Sequence, residues 1–128
     1  MGTRVSGSDI LAREGQDVYF DYDKNDIRAD SRDTLSKDAE LIRRILAADP
    51  TFTIVIEGHC DERGSEEYNL ALGDARAKQT KEYLANLGLP TNQLAVVSYG
   101  KDKPVCTDHD EDCWQKNRRT HITQAEAN

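Results

Sequence analysis

A chain of 128 residues with 17 basic against 24 acidic side chains, a net charge of −7, has room for one buried core and no second. That acidic balance excludes nucleic acid and anionic membrane surfaces as main partners, since both require a basic footprint. No apolar run approaches the roughly 20 residues that span a bilayer. Residues 1–15 are polar and glycine-rich, without the apolar stretch of a secretory signal, so an exported protein would have lost its signal upstream.

Residues 1–15 show no period and are expected to form a flexible lead, followed by a domain over 16–124 and a tail over 125–128. Asp17–Asp23 sets Val18, Phe20 and Tyr22 against acids and Tyr19, the alternation of a strand. Asn25–Ser31 turns the chain. From Arg32 to Asp49, Leu35, Ala39, Ile42, Ile45 and Leu46 recur at steps of three and four, which predicts an amphipathic helix ended at Asp49–Pro50. Thr51–Glu57 is rich in β-branched residues and reads as a central strand, with Gly58–Gly64 a loop at its C-terminal end.

A second long helix is predicted from about Glu67 to Leu87, with Leu70, Ala77, Leu84 and Leu87 on one face and Gly88 placed to stop it. Leu94–Ser98 makes a third strand, a short helical piece falls near Trp114–Asn117, and Arg119–Thr123 closes as the last strand. The order β-α-β-α-β-(short α)-β predicts a two-layer α/β (α+β) sandwich, a small mixed sheet covered on one face by the two long helices.

Three cysteines, Cys60, Cys106 and Cys113, leave at least one thiol without an intramolecular partner. Cys106 and Cys113 bracket the polar loop Thr107–Asp112, which closes as a disulfide if the compartment is oxidising. A metal site from Cys106, His109 and Cys113 is the rival reading, weakened by the lack of a CxxC pair.

The stretch Gly58–Arg76 carries the chemistry. A strand ends, a glycine-bounded loop presents Asp61, and the following helix carries Arg76. Loops at the carboxyl ends of strands are where α/β folds place ligands. An aspartate receives an ammonium group, and an arginine fork receives a carboxylate through two parallel hydrogen bonds. The pair suits an amino-acid-like zwitterion. Read singly, Asp61 is a turn-capping acid and Arg76 a solvated helix residue. A thiol hydrolase using Cys60 with His59 is disfavoured, because neighbours at a strand end point to opposite faces.

The run GHCDERGSEEYNLALGDARA, with VYFDYDKNDI upstream and VVSYGKDKP and KNRR downstream, resembles the OmpA-like peptidoglycan-binding domain, in particular its peptidoglycan-associated lipoprotein group. The resemblance covers roughly Asp17 to Arg119. It implies a non-catalytic periplasmic domain, without cofactor or metal, that grips the meso-diaminopimelate of the peptide stem. The family's ligand aspartate falls on Asp61 and its ligand arginine on Arg76. Tyr22 and Asp23 match pocket-lining positions, Asn69 and Leu72 fall on its YNxxL segment, and Arg118 falls on its NRR segment, where an ion-pairing role is the simpler reading. Cys60 stands where threonine or alanine is usual. Kinship also implies a lipid anchor on the periplasmic side of the outer membrane, outside this sequence, and docking to a TolB-like periplasmic protein.

Overall fold

Alternation in the strands and three- and four-residue steps in the helices converge on one apolar layer. The structure is a computed structural model that describes residues 6–125. Its helices are α1 (Gly7–Glu14), α2 (Ala29–Ala48), α3 (Glu66–Asn86) and α4 (Glu111–Asn117). Its strands are β1 (Val18–Tyr19), β2 (Ile54–His59), β3 (Leu94–Gly100) and β4 (Arg119–Gln124). The sheet runs in the order β1-β4-β2-β3, with β2 and β3 parallel and the other two pairings antiparallel. This is the expected mixed sheet beneath two long helices.

Leu35, Ala39, Ile42 and Ile45 of α2, with Ala77 and Leu84 of α3, meet Ile54, Ile56 and Ile122 of the strands in one buried cluster. Ile42, Ile54 and Ile56 are wholly buried, and each stabilises the fold by about 1.5–3 kcal/mol relative to exposure. On the alternate positions, His59 pairs with Glu57 at 3.0 Å and His121 with Asp17 at 2.7 Å. The second sheet face therefore carries a charged network where the first carries the apolar core.

Several elements differ from the sequence expectation. The lead is not without structure: Gly7–Glu14 is a helix capped by Ser6, whose side chain accepts from the Asp9 N–H at 3.1 Å. Leu11 is buried in the core and Ile10 packs against it. An eight-residue helix carries too little periodicity to read, and such a helix is held by docking rather than by propensity. Residues 1–5 and 126–128, the outer parts of the expected lead and tail, lie outside the described residues.

The first strand is cut short. Only Val18 and Tyr19 join the ladder, and Phe20 adds one bond to the Arg118 carbonyl at 3.0 Å. The chain then turns at Asp23, whose φ of 58° is a left-handed conformation that aspartate tolerates better than most residues. Leu70, placed on the buried face of α3 by spacing, is 42 % exposed. It sits in the second turn of the helix, beyond the end of the apolar layer.

One close approach positions the site. Gly58 of β2 and Gly73 of α3 face each other so tightly that a Cβ on either would collide, on Gly58 with the Gly73 carbonyl and on Gly73 with the Ser98 hydroxyl. The contact seats α3 directly on the end of β2. Arg76, one turn beyond Gly73, is thereby carried over the His59 carbonyl.

Candidate functional site

The cleft opens where β2 ends, and Tyr22, Asp23, Cys60, Asp61, Arg63, Gly64, Tyr68, Asn69, Leu72 and Arg76 line it. Asp61 and Arg76, with Tyr22, Asp23, Asn69 and Leu72, thus share one wall system although they come from three separate segments. Arg118 lies just behind it.

Arg76 is the largest fully buried side chain among the described residues, at 1 % exposure. Burial pulls its guanidinium below the usual arginine range, and the nearby Cys60 and Asp61 partly oppose that. It donates through Nε to the Lys24 carbonyl at 2.8 Å, through Nη1 to His59 at 3.1 Å and through Nη2 to Asp21 at 3.1 Å. The turn that ends β1 early is what presents two of these carbonyls. A guanidinium has five N–H donors, so one on each terminal nitrogen is left without a partner among the described residues. Arg76 lines the cleft, and a buried guanidinium with spare donors suits an anion.

Asp61 lines the same cleft and is itself 4 % exposed. Burial alone would raise its carboxyl, yet hydrogen bonds from Arg63 outweigh it and hold the group below the usual carboxylate range. Oδ1 accepts from the Arg63 N–H at 3.0 Å and from Nε at 3.2 Å, and Oδ2 accepts from Nη2 at 2.8 Å. Arg118 approaches Oδ2 at 3.6 Å. Arg118 is otherwise tied to the Phe20 carbonyl at 2.9 Å and to Glu111 at 2.6 Å, and it does not line the cleft.

Asn69 spends its amide nitrogen on the Arg63 and Ser65 carbonyls, at 2.8 and 3.0 Å, so it braces the loop from inside. Asp23 accepts a hydrogen bond from the Tyr68 hydroxyl, which closes the rim. Ser65 caps α3 by accepting from the Tyr68 N–H at 3.1 Å, and Glu66 and Glu67 in the first turn complement its dipole.

Arg63 and Tyr68 were not singled out from the sequence. Arg63 is packed between two rings, 3.9 Å from the centroid of Tyr22 and 4.0 Å from that of Trp114. Its one sequence signal is the Asp-x-Arg spacing, which lets the Asp61 side chain cap the Arg63 N–H in a local turn. Next to it, Glu62 accepts from Trp114 Nε1 at 2.6 Å and pairs with His109 at 2.7 Å, tying the loop to the segment beyond β3.

Cys106 and Cys113 are disulfide-bonded across a Cα separation of 5.3 Å, so neither is a thiolate ligand for a metal. Cys60 is the free cysteine and is buried. Burial pushes its thiol up to about 11, and its S–H donates to the Asn69 carbonyl at 3.2 Å. His59 turns to the opposite sheet face, with Nε2 on Glu57. A protonated thiol with its histidine facing away is not a nucleophile–base pair.

Known proteins carry the same arrangement of chain. A peptidoglycan-associated lipoprotein of Brucella melitensis is 46 % identical over 117 residues, covering 91 % of this chain and 67 % of its own length. One from Pseudomonas aeruginosa is 42 % identical over 104 residues, covering 81 % of this chain and 59 % of its own length. The chain thus spans about two thirds or less of these curated relatives. The crystal structure of the peptidoglycan-associated lipoprotein of Burkholderia pseudomallei superposes with a TM-score of 0.77 at 39 % identity, covering 91 % of this chain and 93 % of that one. The C-terminal domain of Helicobacter pylori MotB gives 0.78 at 21 % identity over 88 % of this chain and 85 % of that one, a likeness of fold. The OmpA family model matches residues 19–119, which hold every cleft residue described above, and the chain belongs to the OmpA family.

Proposed function

We propose that this chain is a peptidoglycan-binding domain that holds the meso-diaminopimelate of the peptide stem without covalent chemistry. The observation that carries the reading is Arg76: a buried guanidinium, fixed by three backbone carbonyls with a further N–H on each terminal nitrogen, in a cleft that Asp61 also lines. A ligand carboxylate takes the free N–H pair, and the ammonium on the same carbon takes Asp61. Tyr22, Asp23, Asn69 and Leu72 shape the walls around the zwitterion. The names of the Brucella, Pseudomonas and Burkholderia relatives, each a peptidoglycan-associated lipoprotein, support the polymer as the target.

In the same reading the domain tethers the outer membrane to the wall from the periplasmic side, through a lipid anchor outside this sequence. The Cys106–Cys113 disulfide suits an oxidising compartment. A TolB-like periplasmic protein is the second proposed partner. Tyr22 and Tyr68, 56 % and 51 % exposed at the cleft rim, offer the aromatic surface for it.

Titration calorimetry with free meso-diaminopimelate tests the assignment. Asp61→Ala or Arg76→Ala is expected to weaken binding by about two orders of magnitude or more, because each leaves a ligand charge unpaired at a cost of roughly 2–5 kcal/mol. Either variant binding as well as the parent chain would remove that residue from the site.

A further inference from the structure

We infer that Arg63 is an internal stand-in for the ligand's ammonium group, so that binding at Asp61 exchanges one cation for another. The inference rests on the ligand reading above and concerns how the same site selects. An ionised carboxylate offers about four lone-pair positions. Arg63 fills three of them, with its backbone N–H, Nε and Nη2, and Arg118 stands 3.6 Å from Oδ2. Asp61 then keeps one acceptor position, on Oδ2, where Arg118 stands too far away to hydrogen-bond but close enough to repel an incoming ammonium.

The two arginines differ in their freedom to leave. The Arg118 side chain is 3 % exposed and is anchored on the Phe20 carbonyl and Glu111. The Arg63 side chain is 31 % exposed and sits on the loop, and it stacks on Tyr22 and Trp114, contacts that a swinging side chain can give up or keep in part. Behind it, Gly64 has a φ of 97°, a turn that other residues rarely adopt, so the loop is shaped to hold Arg63 against the acid. Only a ligand that brings its own cation compensates Asp61 for losing Arg63. A neutral or anionic ligand leaves the pair closed. Arg63 is therefore a specificity residue that rejects stem fragments lacking a free ammonium.

The chain contains a single tryptophan, and that residue, Trp114, is one of the two rings on Arg63. Displacement thus has its own optical reporter. Meso-diaminopimelate is titrated into the parent chain, Arg63→Gln and Arg63→Lys, by calorimetry and by Trp114 emission, with thermal unfolding as the check that each is folded. Arg63→Gln should bind about five- to thirtyfold more tightly, the reach of one bidentate ion pair open to solvent on its arginine side and its ring contacts. Arg63→Lys, which keeps the charge and loses the fork, should fall between. Ligand should shift Trp114 emission in the parent chain and leave it nearly unchanged in Arg63→Gln. Binding by the parent chain with equal or weaker binding by Arg63→Gln, or a saturated parent chain with unchanged Trp114 emission, would overturn the exchange and leave the ligand assignment standing. Failure of the parent chain and both variants to bind would remove the ligand assignment and the exchange with it.

Discussion

Two openings in this molecule invert the usual relation between size and chemistry. The groove between α1 and α2, floored by Ile45, Leu41 and Phe52, has a volume of about 500 Å³, against about 60 Å³ for the cleft at the end of β2. The groove's charged pair, Glu14 with Arg44 at 3.8 Å, is exposed on both sides. The small cleft is walled by two buried ions whose partners are backbone carbonyls and a displaceable arginine. Solvated charges have nothing to gain from a ligand, whereas buried charges with unspent donors or an exchangeable partner do. Electrostatic preorganisation marks the site here, and volume does not.

That contrast breaks most readily at the scaffold under the cleft. Gly58→Ala drives a Cβ into the Gly73 carbonyl, a backbone atom that cannot rotate away. A loss of about 3 kcal/mol or more in denaturant unfolding is expected, with binding weakened in whatever folded protein remains. Unchanged stability would mean that α3 is free to lift from β2, and Arg76 would then not be fixed.

The second test lies near the end of α1. Asp38 of α2 is 2 % exposed, accepts the Gln16 N–H at 2.9 Å through Oδ1, and leaves Oδ2 without a partner among the described residues. Burial pushes its carboxyl up to about 7 from 3.8, against the opposing Gln16 bond. A folded-state pKa raised above the unfolded value favours the fold fully below about pH 4, and that contribution is lost as pH climbs through 7. Asp38→Asn should remove this slope, so that its stability relative to the parent chain improves by roughly 4 kcal/mol between pH 4 and pH 8. Parallel stability curves for the two would place the Asp38 proton elsewhere. Ligand affinity should not follow the change, since Asp38 does not line the cleft.

The smallest effect is expected in the groove. Arg44→Ala breaks an exposed pair and should cost under about 0.5 kcal/mol, with meso-diaminopimelate affinity unaltered. A weakened titration would move the site toward the groove.

The long helices were legible because their apolar steps repeat over three turns or more, and the strand at Ile54 because β-branched residues crowd there. Asp61 and Arg76 were legible as a pair through their residue types and through the family motif, and Tyr22, Asp23, Asn69 and Leu72 through the motif alone. All six meet in one cleft. Arg63 was hidden because its position depends on Tyr22 and Trp114, rings from distant segments that only the folded chain stacks around it. The early end of β1 was hidden for a similar reason. The turn at Asp23 is held by carbonyl contacts to Arg76, and no local signal in DVYFDYD marks them. Helix α1 owes its order to the burial of Leu11, a single residue too few to read as a period.

The most direct test is a crystal structure of the chain with meso-diaminopimelate. One ligand carboxylate is expected on the remaining N–H groups of Arg76, the neighbouring ammonium on Asp61, and Arg63 turned out of the carboxylate. Ligand seated in the groove beside Phe52, or a cleft empty at saturating concentration with Arg63 still on Asp61, would contradict it.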